Sequence, residues 1–97
     1  MITKRFDYLE LDDLKFDLET DNLEQVAFTQ TEDCTTTIYY DMVFREKETD
    51  KFYVVGLYET EQGGILINEI MTDENGMVEC YEVEPYEVKV TKYRIKE

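Results

Sequence analysis

"TTIYYDMVFREKETDKFYVVGLYET", residues 36–60, decides the fold. Two runs rich in β-branched and aromatic residues, 36–46 and 51–60, flank the polar connector "KETD" at 47–50 and read as strands joined by a turn. Four residues cannot carry a parallel crossover, so the two strands are antiparallel neighbours. Both are apolar on both sides. Tyr39, Val43, Tyr53, Val55 and Leu57 are expected on one face, and Tyr40, Met42, Phe44, Phe52 and Val54 on the other. A sheet that is apolar on two faces needs cover on both, from the amino-terminal third, from its own curl or from a partner chain. Gly56, in the middle of a strand, points to a bend or bulge that assists the curl.

The same pattern continues downstream. "GILINEIMT" (64–72), "GMVECYEVE" (76–84) and "YEVKVTKYRI" (86–95) alternate like strands and are separated by "EQGG", "DENG" and Pro85. Such short connectors imply an antiparallel meander of about five strands. Asn75-Gly76 supplies the positive φ of a hairpin tip, and with Thr72 opposite Met77, Glu69 faces Cys80 while Glu82 and Glu84 face Ile67 and Ile65. Leu66, Ile70, Tyr81 and Val83 then point to the core. A one-residue bulge at the turn exchanges the faces.

"YLELDDLKFDL" (8–18) has two readings. Tyr8, Leu11, Leu14 and Leu18 make a helical stripe that leaves Leu9 and Phe16 on the far side, whereas Leu14, Phe16 and Leu18 alternate with charged residues as a strand does. The Asp12-Asp13 pair supplies a turn on the second reading, and a hairpin is preferred, followed by a short extended piece around Val26 and Phe28. The expected fold is mainly β (all-β or α+β): a single domain over 1–97, built on a curled antiparallel meander, with an amino-terminal hairpin or short helix covering one face.

Composition narrows function by exclusion. Apolar residues are 42% of the chain, with five Phe and eight Tyr, enough to fold. The net charge of −14 exceeds the magnitude of about 2–8 that keeps a small domain in solution. Direct binding to nucleic acid or to an anionic membrane is excluded electrostatically, so the expected partners are basic. No apolar stretch suits a signal peptide or a membrane span, and a cytoplasmic protein is expected. Cys34 and Cys80 are expected as thiols there, with a disulfide left open.

The chain has no His, Ser or Trp, so Ser-His and Cys-His nucleophile systems cannot be assembled. Two distant cysteines make no zinc site, "TDENGMVE" does not match the EF-hand spacing, and no glycine-rich phosphate cradle is present. A non-enzyme without metal or cofactor is expected.

The positive signal is where charge lies. Lys and Arg are absent from 16–44 and from 52–88, and the segment "EIMTDENGMVECYEVEPYEV" (69–88) carries seven carboxylates interleaved with strand formers. Glu69, Asp73, Glu74, Glu79, Glu82, Glu84 and Glu87, with Tyr81 and Tyr86 among them, are the expected partner-binding residues. Carboxylates two apart on a strand lie about 6.8 Å from one another, tyrosines beside them can stack on a partner's arginines, and a basic groove responds to the summed field. In size, acidity and lack of catalytic residues the chain resembles the phage-encoded inhibitors of host defence nucleases, such as anti-CRISPR and anti-restriction proteins. That resemblance is one of type, shares no motif, and implies a nucleic-acid mimic docking on a basic, nucleic-acid-binding enzyme. The alternatives are a structural domain that dimerises through the two-sided apolar strands near Tyr39 and Tyr53, and an immunity protein neutralising a basic toxin. Lys89, Lys92 and Arg94 guard the carboxyl-terminal strand against edge pairing, and the same cations can instead meet an acidic patch of a second copy.

Overall fold

The computed structural model describes residues 1–33, 36–61, 63–68 and 72–97. Along the chain these form strand β1 (Thr3–Asp7), helix α1 (Tyr8–Asp17), and strands β2 (Leu23–Asp33), β3 (Thr37–Glu46), β4 (Lys51–Thr60), β5 (Ile65–Ile67) and β6 (Met77–Val83). The β3–β4 hairpin forms as its sequence requires: Glu46 pairs with Lys51 at the turn, Thr37 with Thr60 at the far end, and the ladder is unbroken between them. Asp50 takes a positive φ of 59° and its N–H donates to Glu46 O at 2.8 Å, closing the four-residue connection.

All pairing is antiparallel, in the order β1-β6-β4-β3-β2, with β5 also on β4. The chain is therefore not a plain meander after β4. β5 pairs with Leu57–Glu59 and β6 with Phe52–Val54, so both share one edge of β4, and β1 lies outside β6. The sheet curls without closing. Phe6 on β1 packs edge-on against Phe44 on β3 at 5.0 Å and Tyr53 on β4 at 4.9 Å, although β6 and β4 separate β1 from β3. Phe6, Leu11, Leu14, Leu23, Met42, Phe44, Tyr53, Val55, Leu57, Ile67, Val78 and Cys80 make the core.

In place of the hairpin preferred over 8–18, the chain forms the helix Tyr8–Asp17. The Asp7 carboxylate caps it, accepting from the Leu9 N–H at 3.1 Å, and Leu18 ends it in the left-handed region with its N–H on Leu14 O. Leu11 and Leu14 are fully buried on the sheet, and Leu9 and Phe16 are left outside as the helical reading requires. Asp12-Asp13 lies within the helix and makes no turn. The extended piece around Val26 and Phe28 is longer than expected, an eleven-residue edge strand.

Four further expectations are corrected. Met42 pairs with Val55 and Phe44 with Tyr53, so even positions of β3 share a face with odd positions of β4; the four-residue connection sets that parity, and the earlier grouping of faces was crossed. Gly56 sits in the unbroken ladder opposite Asp41, and the irregularities lie in β2, between Gln25 and Ala27 and between Gln30 and Glu32. Thr72 bridges to Val78 instead of Met77, and this shift exchanges the faces: Val78, Cys80 and Ile67 point into the core, while Tyr81 and Leu66 point out. Ile70 lies outside the described residues. Finally, "YEVKVTKYRI" forms no strand. Residues 84–97 leave the sheet as an exposed arm, which raises the radius of gyration to 16.0 Å, against about 12.5 Å for a compact chain of this length.

Helix α1 covers one face. Among the described residues no helix or strand packs on the second face, where Tyr39 and Tyr81 are exposed and Val43, Phe52, Val54 and Tyr58 are half-buried.

Candidate functional site

The electrostatic layout follows from which carboxylates find a cation. Residues 1–83 hold six Lys and Arg against twenty-one Asp and Glu, a net charge of −15; the remaining four cations and three carboxylates lie in 84–97. All six cations of the folded body are engaged internally. Lys4 pairs with Glu46 at 2.6 Å, Arg5 with Asp73 at 3.7 Å, Lys15 with Asp12 at 2.8 Å, Lys47 with Glu19 at 2.6 Å and Lys51 with Glu82 at 3.7 Å. Arg45 bridges Glu24 and Asp50 at 3.3 and 2.9 Å. The hydrogen bonds that Arg45 donates to Asp50 and Glu24 raise its pKa, and the Lys47 ammonium holds Glu19 below the ordinary carboxylate range. The acids outnumber these cations, so the surplus faces solvent.

The helix carries the densest part of that surplus. Asp7, Glu10, Asp12, Asp13, Asp17, Glu19 and Asp21 lie within fifteen residues whose lone cation is Lys15. The Lys15 side chain is only 5% exposed, tied to Asp12 and to the Ile65 carbonyl and lying over the Phe16 ring. Glu10 accepts from Thr20 and Asn22, while Asp13, Asp17 and Asp21 make no ion pair among the described residues. Leu9 and Phe16, 69% and 73% exposed, stand among these acids. The surface is a ridge of carboxylates around an aromatic anchor. Sequence reasoning passed over it because its carboxylates gather on one side only if residues 8–17 are helical; the signal was the acid count over 7–21 combined with the helical stripe.

The residues expected to form one acidic face are dispersed. Asp73 is turned inward, its carboxylate accepting from the Asn75 and Met77 N–H groups at 2.9 and 3.0 Å, and it shapes the turn. Glu74 is exposed beside it. Glu79 and Tyr81 lie on the second face, Glu79 opposite Arg5 of β1. Glu82 lies on the other face, half-buried near Lys51. Glu84, Tyr86 and Glu87 belong to the exposed arm. Glu69 lies outside the described residues, so the expected trio of Glu69, Glu82 and Glu84 is not assembled as a strand face. Tyr53, offered as a dimer contact, is buried in the core.

On the second face, Val26, Asp41, Val43, Phe52 and Val54 line a groove of about 490 Å³ whose remaining wall is Val83–Tyr86, the root of the arm. Cys80 is a free, buried thiol, its pKa pushed up to about 12 by burial and by the neighbouring Glu79 charge. Cys34 lies outside the described residues, and so does the question of a disulfide between the two. Among the described residues no group of His, Cys, Asp and Glu could hold a metal ion, and no helix is long and apolar enough to cross a membrane.

No protein-family model, curated protein or solved structure matches the chain.

Proposed function

We propose that this protein is a non-catalytic binder that docks a preorganised acidic surface on a basic, nucleic-acid-binding surface of a partner protein and blocks it. One observation carries the reading: every cation of residues 1–83 is already paired within the molecule, leaving a net charge of −15 over that stretch with unpaired carboxylates around an exposed phenylalanine. Held on a capped helix, Asp13 and Asp17 lose little conformational freedom on binding, and the summed field steers a basic partner toward them. Phe16 supplies the apolar centre on which a partner arginine stacks while its guanidinium pairs with the acids.

The test is a capture of partners on the immobilised protein, washed at low and high salt and challenged with duplex DNA, run beside an Asp13→Lys/Asp17→Lys variant. Recovery of a basic nucleic-acid-binding protein, displaced by DNA and by salt and reduced with the variant, supports the reading. Recovery that neither DNA nor salt displaces counts against it. The uncovered second face of the sheet favours a second activity, self-association.

A further inference from the structure

Two surfaces of this molecule are left without cover, and they have opposite character. The first is the second face of the sheet, where register places Ala27, Val43, Val54 and Tyr81 in one row across β2, β3, β4 and β6, with Phe52 and Val83 in the next. Around this row are the exposed carboxylates of Asp41 and Glu79, and Gly56 leaves a dip in which an added Cβ would meet nothing within 4 Å. The second is the arm, 84–97, whose Tyr86, Val88, Val90, Tyr93 and Ile95 are all more than 60% exposed. It holds four of the ten cations of the chain: Lys89, Lys92, Arg94 and Lys96.

We propose that the arm is an exchange segment: residues 84–97 of one copy lie along the uncovered sheet face of a second copy, and the second copy's arm lies on the first. Three observations fix the occupant. Charge is complementary, since the arm carries +1 and the body on which it would rest −15, with Asp41 placed in the groove to meet an arm lysine. The docking groove is continuous with the arm, because Val83–Tyr86 already form its wall, so an arm entering from a symmetric partner meets the root of the arm that leaves. Length also fits: ten residues in extended form span about 33 Å, and the five strands of the sheet path span about 19 Å between outer strand axes.

The arm does not serve its own sheet in this way. Past Tyr86 it runs out into solvent, and the molecule reaches 62 Å along its longest axis. An alternating strand-forming segment with its apolar side chains in water has what exchange requires, and reciprocal exchange closes as a two-fold dimer. The inference goes beyond the proposed docking function and is independent of it, since the α1 ridge packs on the opposite face and stays open in such a dimer.

The test uses the full chain. Light scattering across a hundredfold range of concentration, at moderate salt that screens the repulsion between two copies of net charge −14, should give a dimer. Val88→Asp/Val90→Asp should weaken it by about tenfold or more with an unchanged circular-dichroism spectrum, because both positions lie outside the core. Val54→Lys on the receiving face should do the same, and if that variant fails to fold, the arm variant decides. Mixing isotope-labelled and unlabelled copies should show contacts between arm and sheet that cross from one copy to the other. A monomer at every concentration, a dimer indifferent to the arm variant, or arm amides protected within a monomer would each overturn the proposal.

Discussion

Lys4 Nζ lies 2.6 Å from Glu46 Oε2, which ties the edge strand β1 to the end of β3 across β6 and β4. Only a curled sheet brings them together, and the pair closes the rim beneath which Phe6 packs edge-on against the stacked Phe44 and Tyr53. Glu46 is a buried carboxylate, and Thr49 donates to its other oxygen at 2.7 Å. Burial works to raise the Glu46 pKa, but the hydrogen bonds from Lys4 and Thr49 outweigh it and hold the group below its ordinary value; the same contact with Glu46 raises Lys4.

The sign of the pH dependence follows. Glu46, depressed in the folded state, contributes stability that is present above its ordinary value of 4.5 and is lost as pH falls through the lower folded value. Lys4, raised, contributes below 10.5 and loses that contribution as pH climbs past its folded value. Lys4→Met strands a buried carboxylate and should cost about 1–2 kcal/mol at neutral pH, whereas Glu46→Gln returns a half-exposed lysine to water and should cost less. Urea melts at neutral pH and near pH 3 measure both. Equal costs, or a Lys4→Met penalty undiminished in acid, would contradict this account.

The helix makes a sharp division among its apolar residues. Leu11 and Leu14 are fully buried, so Leu11→Ala and Leu14→Ala should each cost about 2–5 kcal/mol. Leu9→Ala and Phe16→Ala should stay within about 0.5 kcal/mol, since both side chains stand in solvent. Chemical denaturation of the four variants reads the difference directly; a destabilised Phe16→Ala with an indifferent Leu11→Ala would restore the hairpin.

Cys80 lies on β6 between β1 and β4 and is fully buried in the core, and its thiol is pushed up to about 12 by burial first and the Glu79 charge second. In a Cys34→Ala background the native protein at pH 8 should resist alkylation, with Cys80 labelled only at the rate at which the fold opens. Labelling as fast as in the urea-unfolded chain would show a thiol more accessible than this packing allows.

How much of this was legible in sequence depends on what each feature needs. The β3–β4 hairpin needs only alternation and a four-residue connector, and the residues from Lys51 to Thr60 form one strand as read. Helix α1 was obscured because Leu14, Phe16 and Leu18 alternate like a strand; the decision came from the Asp7 cap and from two leucines meeting the sheet at once. The register after residue 72 rests on a side chain, since Asp73 accepts from two N–H groups and draws in one more residue than a minimal turn would. The arm has strand residues but no strand beside it within the molecule, and strand preference is realised only against a neighbour. Excess acidity was visible as a count, and its location was not, because location required the helix.

That excess has a thermodynamic signature. Each of the seven internal ion pairs is favourable and weakened by salt, whereas the repulsion among the surplus carboxylates of a body of charge −15 is unfavourable and also weakened by salt. Exposed pairs contribute little singly, about 0–1 kcal/mol, and the like-charged pairs far outnumber them, so repulsion dominates the balance. The melting temperature should therefore rise from low to moderate salt. The rise should be larger for Lys47→Gln, which frees Glu19 and adds a further uncompensated charge near Asp21, than for Asp17→Asn, which removes one. Calorimetry at fixed low protein concentration keeps any dimer out of the comparison. A melting temperature that is flat or falls with salt, or the reverse order of the two variants, would mean that the carboxylates are compensated in the folded state and that no acidic field remains for a partner to meet.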